Sequence, residues 1–250
     1  PQFEITLGRC DEKGRLEGKV IPGAATLAKK PNSDQAYCIA PAGKSKLVIT
    51  ALNPKGLYYG ALTVAQLVAA GRAISGPSTV TLPLVRVVDW PDLSERGVWG
   101  GYAVPDLEWM AAQKFNLIEN HSNLTLDADG KGVATFDPEV VTRGRLRAMK
   151  IVPIITHMDQ MQGSGMFTRY PELKGVGPKT QLVPSLQTAC WSQPLSVKLL
   201  SDWATDLARN PDITDLCIWL SEDPGYCECD QCKGQNQFAL EAKACIAAWQ

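Results

Sequence analysis

The residues richest in potential chemistry are Glu222 and Asp223. They follow an apolar, β-prone run over residues 213–220 and precede Pro224 and Gly225. That pair forces a turn, because proline fixes φ and glycine tolerates φ > 0. A buried parallel strand reads as a continuous apolar run, and reactive groups collect just past its carboxyl end. Adjacent carboxyls there can divide the work of a proton donor and a charge-stabilising partner. They can also simply cap the next helix. The strand signal directly before them favours a site.

Cys227, Cys229 and Cys232 come next, as C-x-C-x-x-C. Cys227 and Cys229 are too close in sequence to bridge each other comfortably. A Cys-x-x-Cys redox pair needs a thioredoxin-like context, which is absent. A structural zinc site takes four ligands, and Cys190, just before a predicted helix on the same rim, is the best fourth. Cys217 lies inside the strand, and Cys245 lies about 20 Å along the following helix from Cys232 at ~1.5 Å per residue. Two readings stay open: zinc on Cys190, Cys227, Cys229 and Cys232, or a disulfide from Cys190 to one of the three. Either makes the cluster a staple for the loop and not a catalytic centre.

The elements that must position these groups alternate from about residue 89 onward. Strands are predicted at 96–99, 116–121, 151–157 and 213–220, and helices at 106–114, 138–149, 194–208 and 238–249. A long loop separates 158 from about 193. Such alternation implies a parallel sheet, and four β-α units are half of a (β/α)8 barrel. The chain is therefore expected to be α/β and truncated from a longer protein. The four carboxyl ends share one face of a barrel. They bring Trp99, Glu119, His121, His157, Asp159 and the Glu222–Asp223 pair to one rim. Alternation places Ile218, Leu220 and Glu222 on one side of the fourth strand, taken as the pocket side. Glu222 is then expected to open into the largest pocket, partly buried beside Trp99 or Trp219. Trp191 and Tyr170 can stack on a ligand ring or pack inside. Met158, Met161 and Met166, with Gly163 and Gly165, suggest a mobile rim loop or core filler.

Residues 1–88 read differently, as a small α+β unit. Residues 3–7, 35–40 and 46–51 alternate like strands, the last two joined by a Pro41–Gly43 turn as a hairpin. Residues 57–70 have helical spacing, and 79–82 suggest a last strand.

Composition excludes several functions. The 250 residues are 45% hydrophobic and 20% charged with net charge −1, which leaves no basic footprint for nucleic acid. No apolar run approaches the ~20 residues that span a bilayer. Two histidines are too few for a comfortable His-based catalytic metal site. Eight cysteines are many for a cytosolic enzyme of this size, and the chain begins at Pro1 with no visible leader, as a processed or excised piece would. Asn120 and Asn123 each open a glycosylation sequon.

The first segment resembles the accessory domain that precedes the barrel in family 20 glycoside hydrolases, the β-hexosaminidases. The resemblance rests on Gln35-Ala36-Tyr37, the strand ending at Ala51, Gly56-Leu57-Tyr58-Tyr59-Gly60 and Thr63-Val64-Ala65-Gln66-Leu67. Asp89, Pro91, Arg96 and Gly97 fit that family's entry into its first barrel strand. Residues 188–232 are similar to an uncharacterised bacterial domain of polysaccharide-degrading proteins, related to family 20 and to α-glucuronidase barrels. Its pattern is matched here by Cys190, Ser192, Gln193, Pro194, Tyr226 and the three cysteines.

The resemblance implies a secreted or periplasmic glycosidase, acting on an amino-sugar or uronate-bearing oligo- or polysaccharide. It implies a Glu at the end of the fourth strand as general acid, the position of Glu222. In family 20 the sugar's own acetamido group attacks and an adjacent Asp orients it; the family order is Asp then Glu, reversed here. No catalytic cofactor is implied. The competing class is a non-catalytic carbohydrate-binding barrel.

Overall fold

The computed structural model describes residues 3–75, 80–180, 186–222 and 225–250. The chain forms two compact units, Pro1–Arg96 with Trp109–Phe115, and Gly97–Glu108 with Asn116–Gln250.

The first unit is a sheet under a long helix. Its strands are β1 (Glu4–Arg9), a two-residue ribbon β2 (Arg15–Leu16) and β3 (Lys19–Val20), then β4 (Tyr37–Pro41) and β5 (Lys46–Ala51). Helix α1 (Pro54–Ser75) and strand β6 (Val87–Asp89) follow. The predicted hairpin forms: β4 and β5 pair antiparallel across their lengths. The four main strands run β1-β5-β4-β6, with β1 parallel to β5. Of the strand expected over 79–82, Thr79 lies outside the described residues and 80–82 are not extended-paired. The chain reaches the sheet only at β6, beside β4.

The family-like motif does packing work. A Cβ on Gly60 would lie 2.6 Å from Ile49 Cγ2 and 3.2 Å from the Tyr37 ring, so glycine alone lets α1 sit this close to the sheet. Tyr59 is fully buried beside it. Tyr37, also buried, donates to Asp89 and accepts from Lys114 Nζ at 2.6 Å. Burial and the Asp89 carboxylate push its phenol well above the ordinary tyrosine range. Asp89 is held low in spite of its own burial, by the Tyr37 and Lys114 hydrogen bonds. Tyr37→Phe leaves Asp89 without its buried donor. We expect a loss of about 1.5 kcal/mol in chemical denaturation, the lower end for a hydrogen bond to a charged group because Asp89 is half-exposed. An unchanged midpoint would show the phenol contributes nothing.

The second unit contains β7 (Gly97–Trp99), β8 (Leu117–His121), the ribbon β9 (Asn123–Leu126) and β10 (Gly132–Thr135), β11 (Lys150–Ile155) and β12 (Cys217–Ile218). Helix α2 (Leu107–Ala112) lies between β7 and β8 in sequence. Helices α3 (Pro138–Arg145), α4 (Met166–Arg169), α5 (Pro194–Ala208) and α6 (Gln237–Trp249) complete it. The sheet order is β12-β11-β8-β7, all parallel. This is the expected α/β arrangement, a small sheet domain followed by a curled half-barrel whose strands neighbour one another in chain order.

Local signals explain most boundaries. Asp137 accepts from the Glu139 N–H and Pro138 opens the first turn of α3, while Asn236 accepts from Ala239 N–H at the start of α6. Helix α3 stops before the predicted 149, because Ala148 takes a left-handed φ of 56° and swings the chain into β11. Helix α5 has the predicted limits and buries Leu199, Leu200, Trp203 and Leu207. The β9–β10 hairpin was not anticipated. Its signal was Asp129-Gly130 between alternating apolar residues, with Gly130 at φ 85°. The Thr125 carbonyl accepts from buried Trp203 Nε1, tying the hairpin to α5. Met158, Met161 and Met166 are fully buried, so they are filler and not a mobile rim.

Candidate active site

Register decides which side of the half-barrel is the pocket side. Trp99 lies beside Glu119 and Glu119 beside Val152; two residues on, His121 lies beside Ile154 and Ile154 beside Cys217. Neighbours in register share a face, and so do residues two apart. Trp99, Glu119, His121, Cys217 and Trp219 therefore line one side. The other side carries Ile155, Ile218 and Leu220, which pack with Leu199, Trp203, Leu240 and Ala244 of the helix layer. This corrects the expected parity: Ile218 and Leu220 face the helices, and the pocket side belongs to Trp219.

Glu222 reaches the rim by another route. The paired strand β12 is only Cys217–Ile218, and Trp219 N–H still donates to the Ile155 carbonyl. Ser221 then turns toward the helix layer. Its N–H donates to Glu241 Oε2 at 3.0 Å and its hydroxyl to Glu241 Oε1 at 2.7 Å. Ser221 thus breaks the alternation, and Glu222 comes to His157, Oε1 lying 3.6 Å from Nε2.

His157 is the centre of the rim. Its ring lies 4.7 Å from Trp219, which meets Trp99 edge-on at 5.1 Å and His121 edge-on at 5.2 Å. The Leu220 carbonyl, 2.8 Å from Nδ1, can only accept, so Nδ1 carries a proton. In the neutral ring Nε2 then holds its lone pair toward Glu222. Burial and the neighbouring His157 lower the pKa of His121, so two imidazolium charges are disfavoured together. Cys217 is raised, mainly by burial and then by the Glu119 carboxylate beside it.

Several expectations are not met. The Glu222 side chain is 79% exposed, where partial burial beside a tryptophan was expected; burial falls on His157, at 13%. A 560 Å³ cavity is lined by Thr125, Asp127, Thr168 and Arg169. Asp159 and Trp191 are 2% and 3% exposed and lie inside, so neither offers a surface to a sugar. Trp191 packs in the core next to Ala189 and Cys190. Tyr170 donates to the Gly130 carbonyl and is a packing residue. Asp223 lies outside the described residues.

Comparison with known proteins finds a family match over the first part of the chain and a shared fold over the rest. Residues 6–90 match glycosyl hydrolase family 20, domain 2. Among solved structures, a β-N-acetylhexosaminidase superposes over 99% of this chain and 59% of its own, with a TM-score of 0.65 and 15% identity. The family 20 β-N-acetylhexosaminidase of Streptomyces coelicolor A3(2) superposes over 98% and 51%, with a TM-score of 0.63 and 18% identity. A family 20 β-N-acetylglucosaminidase gives a TM-score of 0.61 at 17% identity, over 86% and 52%. The chain is family-20-like. It spans about half the length of these proteins. No curated protein matches the sequence. These matches lend nothing to the α-glucuronidase side of the resemblance.

In this family-20-like chain the four predicted cysteine ligands do come together. Cys190, Cys227, Cys229 and Cys232 have all their sulfurs within 4.8 Å of one another, and all four are free thiols. Burial among the other sulfurs pushes the Cys190 thiol well up. Burial acts the same way on Cys229, but hydrogen bonds from Cys232 and the Gln231 and Cys232 backbone outweigh it and bring it down to about 7. Cys245 instead meets Met158 Sδ at 3.6 Å. The residue sequence reasoning missed is Glu241. Its only signal was an acid at the position of α6 where helical spacing demands an apolar residue, one turn after buried Gln237.

Proposed function

We propose that the protein is a glycosidase that cleaves amino-sugar glycans with Glu222 as general acid. The observation that carries this is the contact between Glu222 and His157 at the carboxyl ends of the parallel strands, against the Trp99–Trp219 wall. The fold shared with β-N-acetylhexosaminidases supports the substrate class.

The chemistry would run as follows. Glu222 gives its proton to the glycosidic oxygen as the bond to the anomeric carbon breaks. The substrate's acetamido oxygen closes on that carbon, and Asp223, next in sequence, takes the charge developing at the acetamido nitrogen. Glu222, now a carboxylate, draws a proton from the water that reopens the ring. His157, whose ring is fixed by Nδ1–H to the Leu220 carbonyl, holds Glu222 in place. The exposed face of Trp99 offers an apolar surface to a sugar ring. A polymeric glycan substrate places the enzyme outside the cytoplasm, secreted or periplasmic.

The test is a substrate panel with the full-length protein. We expect release of aryl alcohol from an aryl N-acetyl-β-glucosaminide, and none from the matching glucuronide or from the glucoside that lacks the acetamido group. Turnover of the glucuronide alone would move the reading to uronates. Tight oligosaccharide binding with no turnover of any substrate would leave a carbohydrate-binding barrel.

A further inference from the structure

We propose that Cys190, Cys227, Cys229 and Cys232 bind one zinc ion as a structural site of four thiolates, clamping the loop that leaves Glu222 onto the segment that enters α5. The proposal stands apart from the glycosidase reading and holds or fails without it.

The distances carry the argument. Cys190 Sγ lies 3.7 Å from Cys229 Sγ and 3.8 Å from Cys232 Sγ. A tetrahedral zinc with Zn–S bonds of ~2.3 Å places its sulfurs about 3.8 Å apart along each edge. A disulfide needs ~2.0 Å between sulfurs, and any one bridge leaves two thiols of this group over. Four sulfurs converging on one point suit a central ion better than a pair of bonds.

The surroundings are built to support such an ion. The Val176 N–H donates to Cys227 Sγ at 3.4 Å, and Ser192 Oγ lies 3.1 Å from Cys232 Sγ. Cys232 N–H and Lys233 N–H both donate to the Cys229 carbonyl, at 3.0 and 2.8 Å, closing the tight turn that aims two cysteines at one point. The Val176 N–H and Ser192 hydroxyl, which meet sulfur directly, are of the kind that offsets thiolate charge at a zinc ion and orients its ligands. Cys190, Cys227 and Cys232 are buried, so the ion would be shielded from water. The loops themselves are pressed together. Tyr226 N–H donates to the Lys179 carbonyl and Glu228 N–H to the Val176 carbonyl. A Cβ on Gly225 would lie 2.5 Å from Thr188 Oγ1 and 2.6 Å from the Lys179 carbonyl oxygen.

The consequence is positional. Cys190 precedes the first turn of α5, and its N–H donates to the Leu173 carbonyl. Cys227 to Cys232 follow Glu222 by a few residues. A zinc at their centre fixes the far end of the loop whose near end is held by Ser221 and Glu241.

The experiment uses the full-length protein, purified without chelator and reconstituted with zinc. We expect one zinc per chain by elemental analysis, and a zinc-edge absorption spectrum fitted by four sulfurs at ~2.3 Å. After denaturation with chelator every cysteine should titrate as a thiol, these eight among them. Cobalt substitution should give thiolate-to-metal charge-transfer bands. Cys229→Ser should lose the metal, Cys229→His should keep it with a shifted cobalt spectrum, and Cys217→Ser should change neither. Should Cys229→Ser fail to fold, the wild-type metal content and peptide map decide alone. A disulfide joining any two of Cys190, Cys227, Cys229 and Cys232 in peptide mapping, no zinc after reconstitution, or zinc retained in Cys229→Ser would each overturn the proposal.

Discussion

Glu222→Gln in the full-length protein is expected to lower turnover of an unactivated N-acetylhexosaminide by about 10²–10⁴, the usual contribution of a positioned general acid. Binding should change little, because Gln keeps the shape and can still meet His157 Nε2. The loss should shrink on aryl glycosides, whose leaving groups depart without a proton. That contrast separates a proton donor from a residue that merely holds the rim together, since a disordered rim would hurt both substrates alike. Equal losses on the two, or wild-type rates on the unactivated one, would take Glu222 out of the acid role and put the binding-module reading ahead. The exposed position of Glu222 makes the test sharper. Its titratable neighbour on the rim is His157, 3.6 Å away, which positions it. His157→Ala should then reproduce the same contrast in milder form.

Much of this architecture was legible because it follows from periodicity. The apolar runs that became β8 and β11, and the amphipathic run that became α5, carry their signals in the residues themselves. The cysteine group was legible too, since loops at one rim of a parallel sheet have few places to go. What was not legible depended on where alternation fails. The apolar run from Ile213 promised a long strand, yet only Cys217–Ile218 pairs, because β12 has a partner on one side only among the described residues. Ile218 and Leu220 look like pocket residues by spacing and are held by the helix layer instead. Ser221 is the reason. Its two hydrogen bonds to an acid twenty positions later pull the chain out of strand geometry, and no local pattern announces a partner that far away. Trp191 shows the same limit from the other side. An aromatic next to a site loop suits sugar and core equally, and only burial decides.

The Ser221–Glu241 contact therefore sets the second large effect. Glu241→Ala removes the acceptor for a buried N–H and a buried hydroxyl at once, and Gln237 Nε2 loses the same partner. We expect a loss of about 2–3 kcal/mol, as for a buried donor stranded by removal of a charged acceptor. The pH dependence identifies the cause. Burial raises the Glu241 pKa above the ordinary carboxylate value; the bonds from Ser221 and Gln237 oppose this without cancelling it. A carboxyl with a raised folded pKa binds its proton more tightly in the native state than in the unfolded chain. Its contribution is complete below the ordinary glutamate pKa and is lost as pH rises through the raised one. Glu241→Gln carries no charge at any pH, so it serves as the reference. The melting temperature of the wild type minus that of Glu241→Gln should be highest in acid and fall as pH rises through that window. A difference that grows with pH would mean the carboxylate is net stabilised where it lies. Ser221 would then be held by an ionic anchor, and the raised pKa would be wrong. Because the same contact turns the chain toward His157, Glu241→Ala should also lower kcat on unactivated substrate even at temperatures where the protein remains folded.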